Sequence, residues 1–149
     1  MPEATPEFKQ WLREAFEEMY VGQTFAFRRT FSDGDVALFC GVTGDYNPYH
    51  QDRSFAEESW YGKLTIPGLL TGSMLTHIGG MLGFLATEMS FEYLAPVFAG
   101  DTISCTVTIA EKDEAKRRIV ASAAFVNQDG VEMLRARFAG FPGRIRLAR

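Results

Sequence analysis

Histidine and cysteine are scarce in this chain, with two of each among 149 residues. Cys40 and Cys105 lie far apart in apolar surroundings, so neither a disulfide framework nor a zinc-ligand spacing is implied, and both read as buried reduced thiols. His50 and His77 alone, with no Cys/His cluster, give no ligand set for a metal. Excess positive charge is also missing. Fifteen Lys and Arg against nineteen Asp and Glu leave a net charge of -4, which gives no electrostatic case for nucleic acid as a partner. No long uninterrupted apolar run appears either. The stretch from Ile66 to Ala86 carries five glycines with Thr71, Ser73, Thr76 and His77, too polar for a lipid span, so no membrane partner is expected. The first residues, Met-Pro-Glu-Ala-Thr-Pro-Glu, lack a basic n-region, and a cytoplasmic location is the expectation. With no linker or internal repeat, residues 1–149 are expected to form one domain.

What is present is an ordered series of patterns. Phe8, Trp11, Leu12, Ala15, Phe16 and Met19 recur at helical spacing and predict an amphipathic helix over about residues 6–19. Residues 24–31 read as a strand. Ser32 or Asp33 can cap a short helix covering Val36, Phe39 and Cys40, and residues 54–58 suggest another short helical piece. Residues 67–86 predict the longest helix, with Pro67 in its first turn. Its interior holds Gly72, Gly79, Gly80 and Gly83, and each costs about 1 kcal/mol against alanine, so tertiary support is required. Apolar nearly all round, this helix is expected to be buried nearly all round. From Met89 the period changes to two. Strands are predicted at 89–94, 103–109, 118–126 and 131–140, the last two joined by the turn Asn127-Gln128-Asp129-Gly130. The resulting class is α+β, an antiparallel sheet around a long central helix, with an edge that a second subunit would cover.

One segment stands outside these patterns. Gly44-Asp45-Tyr46-Asn47-Pro48-Tyr49-His50 sets a carboxylate and an imidazole five residues apart around an Asn-Pro turn. Two readings fit the seven residues: an Asx-turn followed by a surface histidine, or a site that handles a proton or a water. Elsewhere, His77 at i, i+4 from Ser73 makes a Ser-His pair conceivable. Ser73 lacks the strained Gly-x-Ser-x-Gly turn of a nucleophile, and His77 reads as a hydrogen-bonded core or interface residue. Arg144, Arg146 and Arg149 form a basic tail, either solvated or placed to meet phosphates.

The segment Val42 to His50, with Phe55-Ala56 behind it, resembles the hydratase 2 signature of (R)-specific enoyl-CoA hydratases and the wider MaoC-like dehydratases. Phe31-Ser32 with Asp35-Val36 and Phe39, then Ile66-Pro67-Gly68-Leu69-Leu70, then Pro96 to Asp101 are similar to further family segments, in the same order. The resemblance implies a hot-dog fold and a homodimer or higher homo-oligomer. It implies an acyl-CoA or acyl carrier protein thioester as substrate and no cofactor. It implies that Asp45 and His50 are the catalytic pair and that Asn47 orients them. The Gly68 N–H would hold the thioester oxygen, in a site whose two halves can come from different subunits. Ser73 and Thr76 would lie near the substrate. The sequence departs from the family pattern at Pro67, where a histidine is common, and at Thr76, where a serine is common.

The expected reaction is reversible hydration of a trans-2-enoyl thioester to the (R)-3-hydroxyacyl form. Water adds at C3, a proton is delivered to C2, and negative charge collects on the thioester oxygen between the two events. A carboxylate in bulk water is a weak base, and burial under a bound acyl chain strengthens it. A backbone N–H at a helix start is a donor fixed in advance for the oxygen, and a glycine there lets substrate come close. Two other functions use the same fold: an acyl-CoA thioesterase, in which a carboxylate aims water at the thioester carbonyl, and a non-catalytic acyl-thioester binding module.

Overall fold

A computed structural model describes residues 2–143; the arginines at 144, 146 and 149 lie outside the described residues. The elements run α1 (Pro6–Glu17), β1 (Thr24–Thr30), α2 (Asp33–Thr43), α3 (Pro48–Gln51), α4 (Arg53–Glu58), α5 (Gly68–Gly72), α6 (Met74–Leu82), β2 (Leu85–Tyr93), β3 (Thr102–Asp113), β4 (Arg118–Val126) and β5 (Glu132–Phe141). The strands form one sheet in the order β1-β3-β4-β5-β2, every neighbour antiparallel. This is the hot-dog arrangement expected from the resemblance. Period-two patterning explains the sheet: Ile103, Cys105, Val107 and Ile109 of β3 are all buried, on the face that meets α6. Met74, Leu75 and Ile78 of α6 complete that core with Phe125 of β4 and Leu134 of β5. Both cysteines belong to it, and burial pushes the Cys105 thiol up to about 12, a group inert at neutral pH.

The central helix departs from expectation in three ways. It is two segments meeting at Ser73, it ends at Leu82, and only one face is covered. The Ser73 hydroxyl donates to Leu70 O at 2.6 Å, and both the N–H and the hydroxyl of Thr76 donate to Ser73 O, at 2.8 and 2.7 Å. These i to i+3 bonds tighten the turn and interrupt regular helix. Gly83 then takes a left-handed conformation at φ 61°, and the Phe84 N–H closes on Gly79 O at 2.8 Å. The chain reverses there, and β2 starts at Leu85 instead of Met89. Thr71, Gly72, Met74, Leu75 and Ile78 face the sheet, while Leu69, Thr76, His77 and Met81 are exposed. An apolar sequence all round the helix therefore leaves an open apolar face. Among the described residues no helix is long and apolar enough to cross a membrane.

Glycine at 68 and 72 sets how β2 meets the helix. A Cβ on Gly68 would stand 2.6 Å from Tyr93 Cε1, and one on Gly72 would stand 2.8 Å from Phe91 Cε1. Phe91 and Tyr93 project from the same face of β2 with their rings 6.3 Å apart and nearly parallel. Two residues one helical turn apart thus receive two aromatic rings two strand positions apart. That packing brings the start of α5 against the end of β2, where a cavity lies that both elements line.

Candidate active site

The Asp45–His50 segment is built by a relay of local caps. Ser32 caps α2 and exchanges bonds with Asp35, which Arg29 also holds. Burial opposes the Asp35 charge, but the bonds from Ser32 and the Arg29 guanidinium outweigh it and keep the carboxyl below its ordinary value. Gly44 ends α2 in a left-handed conformation, its N–H on Cys40 O at 2.8 Å. The chain turns there, and Thr43 Oγ1 accepts from the Asp45 N–H at 3.2 Å. Asp45 Oδ1 accepts from the Asn47 N–H, and Asn47 Oδ1 accepts from the Tyr49 N–H, each at 3.2 Å. Asn47 is therefore the N-cap of α3, Pro48 its first residue, and His50 rides on that single turn.

His50 is fixed from behind. Its Nδ1 lies 2.8 Å from Thr65 O and 3.2 Å from Thr65 Oγ1. A carbonyl only accepts, so Nδ1 carries the proton and Nε2 of the neutral ring is the free acceptor. Thr65 is itself held, by its N–H on Tyr49 O at 2.9 Å and by an isolated antiparallel bridge to Phe98. Nε2 stands 3.8 Å from Asp45 Oδ2, too long for a direct bond and short enough for one water to bridge. The His50 side chain is 14% exposed and that of Asp45 39%, so the pair opens to solvent on the carboxylate side.

His50 and Gly68 line the same cavity, of about 470 Å³, within one chain. Thr65, Tyr61 and Tyr93 flank them, and Ile66, Leu69, Leu94, Met133 and Leu134 supply an apolar lining. Among the described residues the Gly68 N–H has no acceptor, as a first-turn donor of α5. Tyr93 lies over it, and partial burial pushes its phenol above the ordinary value, so the hydroxyl is a neutral donor. Asp45 is reached through His50 and is not itself part of the lining. Ser73 and Thr76 are not part of it either, their hydroxyls being turned onto their own helix. No hydrogen bond joins Ser73 to His77 among the described residues. His77 is exposed and stacks on Phe27 with ring centroids 3.8 Å apart, so it is not a core residue. Sequence reasoning passed over Thr65, Tyr93 and Thr71. Thr65 works mainly through a backbone carbonyl, which every residue possesses, and no residue-type signal marks it.

The sequence profile of the MaoC-like domain matches residues 17–130. The chain belongs to the MaoC-like domain family. Among curated relatives, the (R)-specific enoyl-CoA hydratase of Rhodospirillum rubrum is 30% identical over 98 residues, 63% of this chain and 68% of that protein. The 3-hydroxybutyryl-CoA dehydratase of Methylorubrum extorquens is 31% identical over 107 residues, 69% of this chain and 68% of that one. The unliganded R-hydratase of Pseudomonas aeruginosa superposes with a TM-score of 0.81 at 22% identity, covering 90% of this chain and 91% of that one. That likeness establishes the shared hot-dog fold. For this MaoC-like domain the matched residues include the whole Asp45–His50 segment and all of α5 and α6.

Proposed function

We propose that this protein adds water reversibly across the C2–C3 double bond of a trans-2-enoyl thioester, giving the (R)-3-hydroxyacyl thioester. Hydro-lyase chemistry is the activity in the names of its curated relatives. The observation that carries the reading is the His50 geometry: Nδ1–H tied to Thr65 O, leaving Nε2 an acceptor 3.8 Å from Asp45 Oδ2. One water spanning that gap donates a hydrogen to each, and its lone pair is left free for C3. The pair takes a proton as the C3–O bond forms, and the same proton is returned to C2, so both groups end as they began. The Gly68 N–H receives the oxygen of the enolate formed between those steps. Water, thioester and side chains balance the reaction without a cofactor.

The experiment is incubation with crotonyl-CoA. Decay of the enoyl absorbance without release of free thiol is the expected result. Release of thiol makes the protein a thioesterase, and an unchanged spectrum leaves hydration unsupported for this substrate.

We further propose that the working form is a homodimer. Among the described residues strand β2 pairs only with β5, and it carries Leu85 at 72% and Met89 at 44% exposure. Tyr93, on the same strand, is a wall of the cavity. Because His50 and Gly68 already share a cavity in one chain, the second copy's part is to cover the edge. Sedimentation at micromolar concentration is expected to give the mass of two chains; a monomer active at that concentration overturns the proposal.

A further inference from the structure

Thr71 is 1% exposed and sits one turn after Gly68 on α5, in the lining of the cavity. Its hydroxyl is the one buried side-chain polar atom among the described residues with no hydrogen-bond partner. Buried hydroxyls are nearly always paired, and one left unpaired beside a ligand cavity costs free energy until something polar arrives. No neighbour bonds it in the structure. Ile66, Met133 and Leu134 give the cavity an apolar lining, and the Ser73 hydroxyl, two residues on, is committed to Leu70 O.

The structure assigns Thr71 as a specificity-determining residue that hydrogen-bonds a neutral oxygen on the acyl chain of the substrate. The inference rests on the hydration reading above, because Gly68 must hold the thioester end. Three residues of helix rise about 4.5 Å, the length of about three to four carbon–carbon bonds, so the oxygen belongs on C4 or C5 counted from the thioester carbon. It is a hydroxyl, carbonyl or ether oxygen. Among the described residues no lysine or arginine lines the cavity, so a carboxylate there would be buried without a counter-charge from them. A plain alkyl chain would leave the Thr71 hydroxyl unpaired in the complex, and the site would discriminate against it as sites built to bond a substrate oxygen do.

The test compares kcat/KM for trans-2-hexenoyl-CoA with that for its 5-hydroxy and 5-oxo derivatives, with crotonyl-CoA as the measure of hydration itself. The wild-type protein is expected to prefer an oxygenated substrate by about tenfold to a hundredfold. Thr71→Val removes the hydroxyl at nearly constant shape and is expected to abolish or reverse the preference, and Thr71→Ser, which keeps it, to retain it. The melting temperature of Thr71→Val should stay level or rise, since an unpaired hydroxyl is replaced by a methyl. If crotonyl-CoA is hydrated and the substrates do not differ, or if Thr71→Val keeps the wild-type ratio, the assignment of Thr71 is overturned and hydration stands. If no enoyl thioester is hydrated, the functional reading fails and takes this inference with it.

Discussion

Asp45→Asn is expected to lower kcat/KM for enoyl thioester hydration by about a thousandfold, within the range typical for loss of a general acid–base group. The substitution is nearly isosteric, and the structure shows why the fold should not notice. The carboxylate's structural duty is to accept the Asn47 N–H on Oδ1 at 3.2 Å, and an amide oxygen does that equally well. What the amide cannot do is take a proton from a water shared with His50 Nε2. A melting temperature close to wild type with activity lost places the role on chemistry. Activity within about tenfold of wild type would remove Asp45 from the reaction and leave His50 as the sole base.

The approach of Asp45 to His50 was legible in the sequence because the segment carries its own instructions. Gly44 terminates α2, Asn47 and Pro48 start α3, and the five-residue spacing then sets imidazole and carboxylate on the two sides of one turn. The strands were legible for a similar reason: alternation along β3 and β4 leaves one register, and the predicted limits of β4 coincide with the observed Arg118–Val126. The helix at 67–86 was not legible. Apolar residues at every angle read as burial on every side, yet His77 and Met81 are exposed, and hydroxyl-to-carbonyl bonds at Ser73 and Thr76 break the helix from within. Thr65 and Thr71 could not be singled out either. One acts through its carbonyl, and the other matters only because no neighbour reaches its hydroxyl, a property of packing alone.

Gly68→Ala is the second large effect, and its cause separates two roles that the sequence merged. On the sequence alone, glycine at 68 lets a thioester approach the backbone N–H. In the structure, the three atoms nearest an added Cβ all belong to the Tyr93 ring, the first at 2.6 Å. The ring, 53% exposed on an edge strand, can swing aside, at a stability cost of about 1–3 kcal/mol, the usual range for overpacking. Moving it opens the cavity beside the Gly68 N–H to water, and kcat/KM should fall by about a hundredfold, comparable to losing an oxyanion donor. Since the variant keeps its N–H, the loss is charged to the displaced ring. Tyr93→Ala should then show a similar defect, and the double variant should be no worse than the poorer single, because one event underlies both. Losses that multiply in the double variant would mean instead that the new methyl obstructs the substrate itself, and Gly68 would return to the role that the sequence suggested.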